Sequence, residues 1–241
     1  MNCTNNAGNG GAMSISNSDP SFELCSFTGC SSEMGGAVFV SNPQVTSAPV
    51  FNDVLFQSNT ASSGGGMFVG QISMITMNSV RFLSNNAMNS GGGLYVTADN
   101  AMAMSNCGFL NNTAGTGGGI FGEGGVQLQM DTMVFTANSA VDGAGAFVQS
   151  GDVNIGQGSV FDSNRATSTG GCIKIHQGSS NLGIAFSQFK NNIASMAGGM
   201  ALLFLSSFSS TSFSSLIIIS LHSALVFTCY FLPRLYQCGG N

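Results

Sequence analysis

The chain has no tryptophan, four prolines and 6% charged residues, where soluble domains carry about a quarter. Five Lys plus Arg stand against ten Asp plus Glu, for a net charge of −5. Nucleic-acid binding requires a cationic footprint, and none exists here. Sustained apolar periodicity of 3.6 residues is missing through residue 200, and 34 glycines in 241 residues argue against helices. The seven cysteines contain no C-x-x-C spacing, which argues against a zinc site, and their odd number defines no disulfide framework. With charge so scarce, the surface must be built from Ser, Asn, Thr, Gln and Gly. That suits a stacked extracellular rod better than a cytosolic enzyme.

What is present is a repeat. The pattern Phe-x-x-Asn-x-Ala, followed by a glycine pair and an apolar run, places its Phe at Phe27, Phe56, Phe82, Phe109, Phe135, Phe161 and Phe189. The Asn recurs as Asn59, Asn85, Asn112, Asn138, Asn164 and Asn192, with Cys30 in its place in the first copy. The Ala recurs as Ala61, Ala87, Ala114, Ala140, Ala166 and Ala194, and a partial copy opens the chain at Asn5-Asn6-Ala7. A unit of 26–29 residues cannot bury its own apolar face and must stack on its neighbours.

Within each unit the residue two before Phe is small or apolar and uncharged (Cys25, Val54, Val80, Cys107, Met133, Ser159, Ser187), while the residue between admits Arg81. Alternation at period two means a strand with Phe pointing inward. The prediction is an all-β fold: a right-handed single-stranded parallel β-helix of seven to eight coils over residues 1–200. Phe stacks on Phe inside it. The Asn amides form a hydrogen-bonded ladder at a corner, as in cross-β assemblies, and Ala fits the tight turn.

After each glycine pair comes a short apolar strand whose middle residue is Phe39, Phe68, Tyr95, Phe121, Phe147 and then Lys174. Its neighbours are mostly aliphatic, so alternation turns the aromatic column outward. An exposed aromatic stripe is therefore expected, and Phe39, Phe68, Tyr95, Phe121 and Phe147 are the candidate binding residues for a glycan or protein. The arcs that follow (residues 41–49, 97–101, 122–127, 149–152 and 176–181) vary in sequence and read as loops, where recognition often resides.

The paired motifs Gly35-Gly36-Ala37-Val38 and Phe-x-x-Asn resemble the repeats of the chlamydial polymorphic outer-membrane proteins, and similar repeats occur in large surface proteins of protists and algae. Six of the seven Phe-x-x-Asn copies match, and the resemblance covers about residues 1–200. It implies a surface-exposed β-helix that mediates adhesion. Members of that family carry a signal peptide and a C-terminal barrel, neither of which is visible here.

Chemistry is thinly represented. Many parallel β-helices act on polysaccharides, using paired carboxylates or a calcium–Arg constellation. The acidic residues here are scattered, and the best cluster is Asp152, Asp162, Arg165, Lys174 and His176. Gly117-Gly-Gly-Ile-Phe-Gly122 fits G-x-G-x-x-G, but it lies at a repeat corner with no helix to follow. No cofactor, metal or catalytic residue is assigned. N-glycosylation sequons occur at Asn2 and Asn111.

The chain enters mid-repeat at a polar Met1-Asn-Cys-Thr, which is no signal peptide and reads as the start of a fragment. Residues 201–212 form a Ser/Phe-rich linker. Residues 213–232 hold 14 apolar residues and no formal charge, long enough for a transmembrane or capping helix, before a short tail at 233–241. The expected role is a non-catalytic adhesion or structural module, extracellular or at the cell surface and anchored to a membrane through 213–232. It would bind a surface glycan or protein and no nucleic acid. The alternative is a pectate-lyase-like polysaccharide-acting enzyme, degenerate in its site.

Overall fold

The computed structural model describes residues 4–41, 48–71, 73–176, 180–202 and 205–210. Every strand pairing among them is parallel, and each coil pairs with the coil before and the coil after it. No helix occurs among the described residues. The chain is thus a parallel β-solenoid of about seven turns, a rod roughly 35 Å long at about 4.8 Å per coil.

Four faces make up each coil. The phenylalanine sheet has seven strands, beginning Ser26–Thr28, Leu55–Gln57 and Arg81–Leu83. A corner sheet follows, from Thr4–Asn9 to Asn86–Ser90, and beyond that it continues through the paired strands Ser139–Ala140 and Arg165–Ala166, joined by single bridges at Thr113 and Ile193. The aromatic sheet has eight strands, including Met67–Val69, Leu94–Val96 and Ile120–Gly122. The arc sheet also has eight, including Met74–Asn78, Ala101–Ser105 and Val126–Asp131. The loop reading of the arcs holds for connectors such as residues 98–100 and 123–125, but the arcs 122–127, 149–152 and 176–181 run into the strands Val126–Asp131, Gly151–Ile155 and Ser180–Ile184, and residues 42–47 and 177–179 lie outside the described residues. Parallel pairing continues past Gly199 through Met200–Leu202 and Leu205–Ser210.

The phenylalanine file lies inside as expected. Successive rings from Phe27 to Phe189 stack with centroids 4.5–5.2 Å apart and planes within 5–17°. Phe56 to Phe161 are fully buried. The column two residues earlier also points inward, with Val54, Val80, Cys107 and Met133 buried beside it.

The asparagine ladder closes the corner. The backbone N–H and the side-chain Nδ2–H of Asn59 both donate to Asn85 Oδ1 at 3.0 Å, and Nδ2 also donates to the Phe27 carbonyl. The same three bonds recur at Asn85, Asn112, Asn138 and Asn164, all at 2.8–3.1 Å. Each interior amide therefore gives both hydrogens and takes two, which fills its capacity. Cys30 has no amide, yet it fits the first rung because only its backbone N–H is needed, donating to Asn59 Oδ1 at 2.9 Å. Asp has no side-chain N–H, so at an interior rung it would leave the phenylalanine carbonyl without its donor.

Backbone geometry explains the rest of the motif. The residue before each Asn turns the corner in the left-handed region, with φ of 53–58° from Ser58 through Asn191. Small or amide side chains pay least for that conformation. In the glycine pair, a Cβ on Gly36, Gly65, Gly92 or Gly118 would lie 2.1–2.6 Å from a carbonyl oxygen of the next coil, so a larger residue would pry the coils apart.

Candidate functional site

The described interior is filled by stacked side chains, so the outer faces are where function is sought. On the aromatic sheet the parity is as expected: Val38, Val40, Met67, Val69, Leu94 and Val96 are buried inside, and the aromatic column points out. The exposure is not. Phe68, Phe121 and Phe147 are only 8%, 6% and 7% exposed, and Phe39 and Tyr95 are half-buried. Each ring lies on the next at 4.7–5.4 Å, so ring faces cover ring faces. The expected exposed stripe is thus corrected to a column that largely shields itself.

Polar groups close its edges. Tyr95 Oη donates to Glu123 Oε1, while Glu123 Oε2 accepts the Ala98 N–H at 3.1 Å. Burial, followed by the hydrogen bond and the charge of Glu123, pushes the phenol well above its ordinary value. Lys174 takes the next place in the column. Its Nζ lies 5.4 Å from the Phe147 ring centroid and 3.1 Å from Asp142 Oδ1. Asp142 also accepts hydrogen bonds from the N–H and Oγ1 of Thr169. Burial alone would raise its carboxyl, but the bonds from Thr169 and Lys174 and the Lys174 charge outweigh it and hold it below the ordinary value.

The arc sheet has an open, polar face. Its strands alternate strictly: Ile75, Met77, Met102, Met104, Leu128 and Met130 are buried, while their neighbours face outward. Met74, Ala101, Gln127 and Asp152 form one outward column, and Thr76, Ala103, Gln129 and Asn154 the next. Two alanines side by side leave a dip, flanked by Met74 and Thr76 on one side and Gln127 and Gln129 on the other. The result is a shallow groove of about 270 Å³ reaching Asp152 and Asn154. Polar side chains also bond laterally between coils: Asn78 donates to Asn52 at 3.0 Å, Asn181 to the groove's Asp152 at 2.6 Å, and Asn191 to Asp162 at 2.9 Å on another face. The groove amides of Gln127 and Asn154 face solvent. Sequence reasoning missed this site, although Ala101-Met-Ala-Met-Ser105 and Val126-Gln-Leu-Gln-Met-Asp131 display the period-two signal that finds it.

The charged cluster does not assemble. Asp152 is on the arc sheet, Asp162 on the phenylalanine sheet, Arg165 on the corner sheet and Lys174 on the aromatic sheet. Asp162 pairs with Lys190 at 3.4 Å. Hydrogen bonds from Asn191 and Ser163, with the Lys190 charge, hold its carboxyl below the ordinary value. His176 lies 6.1 Å from the Phe147 ring, on the edge of the aromatic column. Among the described residues, no group of His, Cys, Asp and Glu could hold a metal ion. Gly117–Gly122 forms a corner and the strand Ile120–Gly122, which is not the strand-to-helix setting of a dinucleotide loop.

The four described cysteines, Cys25, Cys30, Cys107 and Cys172, are thiols outside any disulfide. Burial pushes the Cys107 thiol up to about 11, against lowering backbone hydrogen bonds with Val80 and Ser105, and raises buried Cys172 as well. They are core residues rather than nucleophiles. Asn111 is exposed at a corner between Ser84 and Ala137, and Thr113 is exposed too, so this sequon is accessible. Asn2 and residues 213–232 lie outside the described residues. Among the described residues, no helix is long and apolar enough to cross a membrane. Comparison with protein-family models, with curated proteins and with solved structures returned no match.

Proposed function

We propose that this chain is a non-catalytic, surface-displayed adhesion or structural module that binds glycan or protein through its long outer faces. The observation that carries this is the groove on the arc sheet. It is open, uncharged apart from Asp152, and walled by the solvent-facing amides of Gln127 and Asn154 and by Gln129, whose Nε2 donates to Asp131 at 3.4 Å while its carbonyl faces outward. Neutral hydroxyl-rich chains are recognised by such groups, through direct and water-mediated hydrogen bonds. The wide dispersal of carboxylates agrees with a binder, because glycosidic cleavage needs two of them facing one bond. The resemblance of the repeats to the chlamydial polymorphic outer-membrane proteins points the same way, as does the scarcity of charge. Display at a cell surface, with membrane anchoring through residues 213–232, belongs to the same proposal.

In this reading the groove makes the main contact. The aromatic column, through the edges of Phe39 and Tyr95, makes a secondary one. The test is a glycan array probed with the intact chain and with Gln127→Ala/Gln129→Ala. Binding that falls by about tenfold, the loss of one or two hydrogen bonds, supports the groove. Binding unchanged in that variant removes it. Release of shortened or unsaturated sugars from the bound polysaccharide would instead establish the enzyme.

A further inference from the structure

We infer that the phenylalanine sheet's outer face is an interface between two copies of this chain, packed face to face with their rods antiparallel. This rests on the outward columns of that sheet and is independent of the glycan reading. One column runs Leu55, Arg81, Gly108, Val134, Val160 and Gln188; the other runs Gln57, Leu83, Leu110, Thr136, Asp162 and Lys190. Five consecutive coils therefore put an aliphatic side chain on this face: Leu55, Leu83, Leu110, Val134 and Val160. Val134 is 38% exposed and the other four are half-buried. At Gly108 the gap is filled by Leu110, whose Cδ1 lies 2.9 Å from where a Cβ would be, so the apolar strip is continuous there. Among the described residues the other outer faces differ: the arc sheet carries amides beside Met74, the exposed apolar residues of the corner, Met88, Val141, Ile193 and Met196, stand among hydroxyls and amides, and the aromatic column is largely covered by its own rings.

The charges select the partner. Arg81 is exposed and makes no ion pair among the described residues. Asp162 lies three coils further on, with Lys190 beside it. Place a two-fold axis in the face, along the strands, midway between Gly108–Leu110 and Val134–Thr136. The Arg81 coil of one copy then faces the Asp162 coil of the other, and the reverse pair forms as well. Leu110 and Val134 meet at the centre. This is the self-complementarity that an isologous contact requires, at the spacing of about 10 Å usual for packed sheets. The strip is about 20 Å by 10 Å. That is well below the roughly 800 Å² per partner of a standard interface, so the dimer is weak and appears only at high concentration.

Sedimentation velocity of the intact chain at rising concentration reads this directly. The expected result is a monomer–dimer equilibrium that Val134→Lys abolishes without changing the circular dichroism spectrum. Arg81→Glu alone and Asp162→Arg alone should each lower the association constant by roughly tenfold or more, since each removes both symmetric pairs. Arg81→Glu with Asp162→Arg should restore it. A chain monomeric at every concentration overturns the inference. So does a dimer indifferent to Val134→Lys, as when another face or the chain ends mediate it, or a charge swap that restores nothing.

Discussion

Two aromatic files run along this rod, and their difference is instructive. The inner one is unbroken over seven coils, from Phe27 to Phe189. The outer one begins at Phe39, beside Ser14, and ends at Phe147, beside Lys174. Ring spacings are alike, 4.5–5.2 Å inside and 4.7–5.4 Å outside. The constraints are not. From Phe27 to Phe161 each inner phenylalanine has its backbone carbonyl held by a ladder amide, so a change of residue leaves both a cavity and a disturbed corner. An outer ring can give way to Lys174, whose stem covers Phe147 while its ammonium finds Asp142. Stacking itself is therefore not what makes a column obligatory; enclosure and hydrogen bonding are.

This contrast can be broken or sharpened by substitution. The largest effect is expected for Phe109→Ala, which opens a cavity in a fully buried site and should cost about 4 kcal/mol in urea unfolding. Next comes Asn112→Ala. It strands the Asn85 backbone N–H, the Asn85 Nδ2–H and the Phe82 carbonyl, for a loss of about 3 kcal/mol by the same measurement. In the outer file Phe121→Ala should cost less, about 2–3 kcal/mol, since the ring is 6% exposed at the surface and its loss opens to solvent rather than leaving an enclosed cavity. Equal losses at Phe109 and Phe121 would erase the distinction between the files.

A smaller effect is expected at the foot of the outer file. The Asp142 carboxyl is held below its ordinary value, so the unfolded chain takes up this proton first on acidification. The stabilisation from Lys174 and Thr169 is then fully present above the ordinary value of 3.8 and is lost as pH falls through the lower folded value. Urea midpoints compared between the natural chain and Lys174→Met should differ at pH 6 and converge in strong acid. The smallest effect is at the corner outside the ladder. Expression in a secretory host should yield a glycan on Asn111, seen by intact mass and removed by Thr113→Ala. The change in stability there should stay within about 0.5 kcal/mol, because both side chains are exposed.

The inner file, the ladder and the direction of the outer column were all legible in the sequence, because parallel in-register stacking converts a repeat period directly into contacts. What escaped was exposure. Period-two parity says which way Phe68 and Phe121 point, but not that their own neighbours cover them. The arc sheet escaped for a different reason. Its strands sit behind connectors of unequal length, so their alternation does not align at a fixed offset from Phe. Met74, Ala101 and Gln127 fall into one column only once the pairing is known. The dispersal of Asp152, Asp162, Arg165 and Lys174 is likewise a property of the coil: residues ten apart in sequence lie on different faces.

The claim beneath all of this is that one repeat adds one coil along a single axis. Spin labels attached by non-cysteine chemistry at the exposed corner residues Ser58, Ser163 and Asn191 test it by electron-resonance distance measurement. Ser58 and Ser163 are four coils apart and Ser58 and Asn191 five, so distances of roughly 19 Å and 24 Å are predicted, growing by about 4.8 Å per repeat. A Ser58–Asn191 distance equal to or shorter than the Ser58–Ser163 distance would contradict the account.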